Sequence, residues 1–271
     1  MRGISGAAFA AFILVIAACG ARPAASPTPT ATADPLASLL VRGTLVVSIR
    51  MVAPPAQREQ GDAAHEQKRA LEAAIATALA QRILGPTGRA DFRNTGRDRT
   101  GPVANRDADI AMANATASVA GITFSRPYAA GGVVLVTTAG SSARVEDLVD
   151  KTIATTPGDT NSAQIAQAYF AQRSIQVKLQ MFTGLRAAVE ALDAGQVTAV
   201  VGDRTGIAVV NRGRTSTLRT VAELASQPFA VAVRADATAL LARVNDGLSA
   251  LAGSGDLKKF ADAADFPFEA P

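Results

Sequence analysis

The sequence predicts an α/β protein with largely parallel strands. Two observations carry this: β-branched runs of strand length alternate with helical segments at short spacing, and the helical segments repeat their apolar residues at a step that lines one face. Leu36 to Arg42 reads as a short helix broken by Gly43, and Thr44-Leu-Val-Val-Ser-Ile-Arg50 then has the composition of a buried strand. From Glu66 to Ile83, Leu71, Ile75, Leu79 and Ile83 recur every four residues on an alanine-rich background, and Gly85-Pro86 stops the helix. Strands are expected at Asp109 to Ala113, from Gly132, at Ile153 to Thr155, at Ile175 to Met181, at Val197 to Val201 and at Phe229 to Arg234. Helices are expected at Thr160 to Gln172 and Leu185 to Ala194, and a long amphipathic one runs through Leu240, Leu241, Val244, Leu248 and Leu251. In such a layering, ligands sit at the loops beyond the carboxyl ends of the strands.

The front end has a different character. Met1-Arg2 precedes an uninterrupted apolar run from Ala7 to Ala18, and Ile16-Ala17-Ala18-Cys19-Gly20 places the only cysteine in a lipoprotein cleavage box. Residues 1–18 are therefore expected to be a lipoprotein signal peptide, with Cys19 the lipidated first residue of the mature protein. Each methylene of its acyl chains would add about 0.8 kcal/mol of membrane affinity. Residues 19–35 are rich in proline, threonine and alanine, with almost nothing apolar to bury, and read as a spacer between lipid and domain. That address puts the body on the extracytoplasmic face of the cell membrane.

The inventory of side chains excludes much chemistry. With one cysteine there is no intramolecular disulfide, and with one histidine, His65, no multi-histidine zinc site. No Gly-x-Ser-x-Gly elbow or phosphate-binding Gly-Lys loop occurs, so no catalytic residue, metal or cofactor is expected. The pI near 9.6 does not point to nucleic acid, because the charges are interspersed. Even the densest basic stretch, Arg89, Arg93, Arg97, Arg99 and Arg106, is threaded with Asp91, Asp98 and Asp107, and reads as solvated loop and turn.

The order of segments resembles the polar amino-acid family of extracytoplasmic solute-binding proteins, the receptor components of ABC importers. The residues that carry the resemblance are Leu40-Val-Arg-Gly-Thr-Leu-Val-Val-Ser-Ile-Arg50, Pro54-Pro55, Ala108-Asp-Ile-Ala-Met-Ala-Asn-Ala-Thr116, Phe124-Ser-Arg-Pro-Tyr128, Val145-Glu-Asp-Leu-Val-Asp-Lys151, Ala191 to Asp203 and Phe229-Ala-Val-Ala-Val. It implies a two-lobed periplasmic-binding-protein-like fold, each lobe a mostly parallel sheet flanked by helices, with two crossing hinge strands. Lobe 1 would comprise residues 36–131 plus 230–271 and lobe 2 residues 132–229, with crossings near Ala130 to Val134 and Pro228 to Val231. The partners implied are a small polar solute and an ABC permease, and the receptor is expected to be a monomer.

Carried over position by position, the resemblance makes Ala113, Asn114 and Thr116 ligand contacts of the first lobe, and Asp203 the grip on a ligand ammonium. Asp159 and Thr160 fall in the turn that opens a helix, where free N–H groups favour an anion. Thr160 and Asp203 equally suit helix capping. The chain departs from the family where an arginine usually clamps the ligand carboxylate: Ala117-Ser-Val-Ala-Gly-Ile-Thr123 holds no basic residue. The loop after Pro55 lacks the usual aromatic, and Asp159 adds an acid. These changes predict a cleft shifted towards negative charge and a cationic or neutral solute. Two other readings follow from the same departures: a degenerate binding-fold lipoprotein acting as a sensor or protein-interaction module, and a dehydratase-like enzyme on the same scaffold.

Overall fold

The computed structural model describes residues 35–50, 63–96, 98–115, 119–156 and 161–271. Helix α1 (Pro35–Arg42) leads into strand β1 (Thr44–Ile49). Between them Gly43 takes φ +66°, and its N–H reaches back 3.0 Å to the Leu39 carbonyl. A side chain would strain that left-handed cap. Leu45, Val47 and Ile49 are almost completely buried, each removal from water being worth about 1.5–3 kcal/mol.

Helix α2 (Ala63–Leu84), strand β2 (Arg89–Asn94), the single turn α3 (Gly101–Ala104), β3 (Ile110–Asn114) and β4 (Ile122–Phe124) complete the first half. Next come β5 (Gly132–Thr138), β6 (Thr152–Thr155), α4 (Ser162–Gln172), β7 (Lys178–Met181), α5 (Leu185–Asp193), β8 (Ala199–Asp203), α6 (Arg204–Asn211) and β9 (Leu218–Ser226). Strand β10 (Phe229–Arg234) and helices α7 (Thr238–Gly253) and α8 (Asp256–Ala263) close the chain.

Two five-stranded mixed sheets result, ordered β2-β1-β3-β10-β4 and β7-β6-β8-β5-β9. The layouts are the same: four strands run one way in each sheet, and the lone antiparallel strand, β10 or β5, sits fourth. In both cases that strand is the one the chain forms just after leaving the other sheet. The chain passes from first to second sheet between Phe124 and Gly132 and returns between Ser226 and Phe229. This is the two-lobed, type II periplasmic-binding-protein fold.

The two passing segments pair with each other: Gln227 N–H bonds Gly131 O at 3.0 Å, Phe229 N–H bonds Ala129 O at 2.9 Å, and Tyr128 N–H bonds Phe229 O at 2.8 Å. The approach needs glycine, since a Cβ on Gly131 would lie 2.5 Å from the Gln227 carbonyl oxygen. The C-terminal segment comes back to the same place, with Ala130 N–H bonded to Glu269 O at 2.8 Å and Phe266 buried in the first lobe's core.

One large apolar cluster fills the face of the first sheet covered by α1, α2, α7 and α8; the opposite face holds only a small cluster around Val103 and Ala111. The second sheet carries a moderate cluster on each face, one under α5 and α6 and one under α4. Among the described residues no helix is long and apolar enough to cross a membrane.

The basic stretch expected to be solvated loop and turn is so only in part. Arg89–Asn94 forms an edge strand parallel to β1, hidden from periodicity because an edge strand with few apolar residues carries little alternation. Arg99 is buried, with 6% of its surface exposed. Strand β8 also starts and ends two residues later than expected, so that Asp203 is its last residue.

Candidate functional site

The carboxyl end of β3 and the carboxyl end of β8 hold equivalent places in the two sheets. Asn114 ends β3 opposite Phe229, the first residue of β10 after the return crossing. Asp203 ends β8 opposite Val133, the second residue of β5 after the outward crossing. Each residue therefore sits at a strand end next to the paired crossing segments. Asn114 Nδ2 reaches the Gln227 carbonyl at 3.4 Å, and Ala115 N–H bonds Pro228 O at 2.7 Å. Ala113, predicted as a backbone contact, pairs with Ala230 and is 5% exposed.

Asp203 has a structural task already. Its Oδ1 accepts the Gly206 N–H at 2.8 Å and caps α6, a role worth about 1 kcal/mol. Thr116, Asp159 and Thr160 lie outside the described residues.

The first lobe adds groups that sequence reasoning missed. Lys68, in the second turn of α2, donates to Asn114 Oδ1 at 2.8 Å and lies 4.3 Å from the centre of the Phe229 ring. It also stands 3.7 Å from Glu72 one turn further on, with 12% of its side chain exposed. Arg50, the residue after β1, has Nη1 3.1 Å from His65 Nε2. A guanidinium only donates, so Nε2 accepts and the ring proton is assigned to Nδ1. Arg50 and Lys68 thus bring two cationic side chains to the residues that follow β1 and to the second turn of α2.

Beneath Lys68 is a buried polar cluster. Glu72, 1% exposed, takes Arg99 Nη1 and the Tyr128 hydroxyl on the same oxygen, each at 3.3 Å. Arg99 also donates to Met112 O at 3.0 Å. Burial pushes the Tyr128 hydroxyl pKa well above its ordinary value; the Glu72 charge adds to this and the Arg99 charge opposes it. An i to i+4 Lys68–Glu72 spacing was visible in the sequence, but it reads equally as a surface pair.

Ion pairs also join residues of the two lobes. Arg212, after α6, donates to Asp265 Oδ1 at 2.6 Å and Asp265 O at 2.7 Å, while Gln67 of α2 holds the other carboxylate oxygen at 2.8 Å. Arg204 lies between Glu223 of β9, at 2.6 Å, and Glu269, at 3.1 Å. Among the described residues there is no cluster of three or more histidine, cysteine or acidic side chains suited to a metal ion.

No protein-family model matches the chain, and no curated protein matches it in sequence. Solved structures do. The chain is similar to the ancestral amino acid-binding protein AncCDT-1, a precursor of cyclohexadienyl dehydratase, at 21% identity and a TM-score of 0.59, covering 85% of this chain and 99% of that one. It is also similar to a P235GK mutant of ArgBP from T. maritima, at 22% identity and a TM-score of 0.56, covering 84% and 97%. A third is AbpA of Streptococcus pneumoniae, an amino acid ABC transporter substrate-binding protein bound to L-arginine, at 17% identity and a TM-score of 0.57, covering 84% and 97%. At these identities the likeness establishes the fold, that of the type II binding proteins.

Proposed function

We propose that the chain is a lipid-anchored receptor of an ABC importer, one that captures a small polar solute, amino acid-like or an amine, between its lobes and presents it to a membrane permease. The observation that carries this reading is the equivalent placement of Asn114 and Asp203 on the two strand ends that flank the crossing segments. Two lobes joined by a narrow pair of segments can close over a solute and open again. The amino acid-binding proteins among the similar structures support a solute of that size and polarity. Cys19 supplies the tether, which would hold the receptor at high effective concentration near its permease.

Two measurements test the reading. Thermal-shift screening of the folded protein against amino acids, polyamines and quaternary amines is expected to give stabilisation by at least one class; a flat response throughout contradicts solute capture. Separately, expression in a bacterial host with Cys19→Ser is expected to release the protein from the membrane fraction. Membrane retention of that variant would remove the anchor from the account.

A further inference from the structure

We propose that the C-terminal segment from Asp265 to Glu269 is a strap whose two acids latch the second lobe to the first, and so set how far apart the lobes rest. The latch is read from contacts between the lobes and uses no property of a solute.

The strap is rooted in the first lobe. Phe266 is buried in that lobe's core and sits edge-on to Phe229. The backbone is tied down on both sides of it: the Phe266 N–H bonds Ala261 O at 2.8 Å, and Glu269 O takes the Ala130 N–H of the outward crossing at 2.8 Å. The acids that flank this root reach across to α6. Asp265 accepts Arg212 Nη1 at 2.6 Å on Oδ1 and at 2.7 Å on its carbonyl, and Glu269 Oε2 accepts Arg204 Nη1 at 3.1 Å. Arg204 is the first residue of α6 and Arg212 follows its last, so the strap grips the helix at both ends. Because α6 starts immediately after Asp203, whatever holds the helix also holds the end of β8.

A latch must open without stranding its charges, and two of these groups keep a partner in their own lobe. When the strap lets go, Arg204 retains Glu223 of β9 at 2.6 Å, and Asp265 retains the Gln67 Nε2 donor of α2 at 2.8 Å. The ion-paired side chains are between 30% and 76% exposed, where such pairs are weak and screened by salt. Contacts of that strength bias an equilibrium and do not lock it. Two atoms of the same contact zone press the other way. Gln67 Oε1 and Arg204 Nε are buried without a hydrogen-bond partner among the described residues, and separating the lobes gives both back to water.

A distance measurement between spin labels tests the latch. Labels on Thr77→Cys of α2 and Glu190→Cys of α5, both exposed and on helices that touch α6, are placed in the full chain carrying Cys19→Ser, so that no native thiol competes. Asp265→Asn combined with Glu269→Gln is expected to lengthen the distance by more than about 2 Å at low salt. Asparagine tolerates the left-handed backbone of residue 265, φ +50°, so the strap keeps its path. Salt at about 1 M, where the screening length is about 3 Å, is expected to lengthen the distance with the latch residues intact. Asp262→Asn, which breaks an ion pair within α8, is expected to leave it unchanged. A distance unaltered by the double substitution would overturn the latch, as would an equal lengthening in Asp262→Asn. Should the double variant not fold, the salt series decides in its place. No solute enters either arm, so the outcome is independent of whether the chain captures one.

Discussion

The two lobes share one strand layout and differ in what they bury. In the first, Glu72 and Arg99 lie inside with Tyr128 on them; in the second, the buried polar side chains among the described residues are hydroxyls alone, Thr137, Thr155, Ser162 and Thr205. A buried hydroxyl needs one carbonyl, as Thr137 finds at Thr198 O and Ser162 at Thr156 O. A buried ion pair needs a closed set of partners, and its desolvation cost often exceeds its gain in stability. The second lobe shows that this layout folds without such a pair. The first keeps it under the strand end where Lys68 meets Asn114, with Arg99 also tied to the Met112 carbonyl.

The sharpest way to break the comparison is to remove one partner in each lobe. Arg99→Met leaves the buried Glu72 carboxylate to Lys68 and the Tyr128 hydroxyl, and loss of the buried partner is expected to cost about 3–5 kcal/mol in urea unfolding. Thr155→Val in the second lobe is expected to cost about 0.5–1.5 kcal/mol. Equal losses would mean that the buried charges are not special.

Gly131→Ala probes the segment between the lobes. Its Cβ would meet Gln227 O at 2.5 Å and the Phe229 ring at 3.3 Å, so a loss of about 1–3 kcal/mol is expected from the forced backbone shift. An alanine accommodated without loss would show that the crossing segments are loosely held.

Tyr128→Phe separates the hydroxyl from the charges. The Tyr128 pKa is raised in the folded state by burial first and the Glu72 charge second. Above the unfolded tyrosine's pKa, about 10, the unfolded chain gives up a proton that the folded chain keeps. Stability that is complete below pH 10 therefore falls as pH rises towards the folded value. Tyr128→Phe is expected to flatten that alkaline decline while costing about 1 kcal/mol at neutral pH. A decline unchanged in the variant would place its origin elsewhere.

The smallest effect is expected at the rim. Arg212 and Asp265 join the lobes with 41% and 76% of their side chains exposed, and Arg212→Ala is expected to change stability by no more than about 1 kcal/mol, less at high salt. Small-angle scattering of the variant at low and high salt would show whether so weak a contact shifts the lobes.

Much of the fold was legible in the sequence because the central strands β1, β3, β5, β8 and β10 are buried on both faces and read as apolar runs. Edge strands β2 and β4 were not, being short or polar where they meet water. At the site, Asn114 and Asp203 were visible as the ends of strand motifs. Lys68 was not, because its meaning depends on Asn114, 46 positions away, and on a ring contact that no local pattern encodes. Arg99 was misread for the same reason: its aspartate-rich neighbours suggest a solvated turn, while its partner Glu72 sits on another element.

The central claim, that a solute is held between equivalent strand ends of the two lobes, is tested most directly at Asp203. Asparagine caps a helix as well as aspartate does, so Asp203→Asn keeps α6 intact and removes only the charge. Calorimetry of this variant with whichever amino acid stabilises the unaltered chain is expected to show affinity lower by about tenfold or more, at an unchanged melting temperature without solute. Unchanged affinity would contradict the placement of the solute between the lobes.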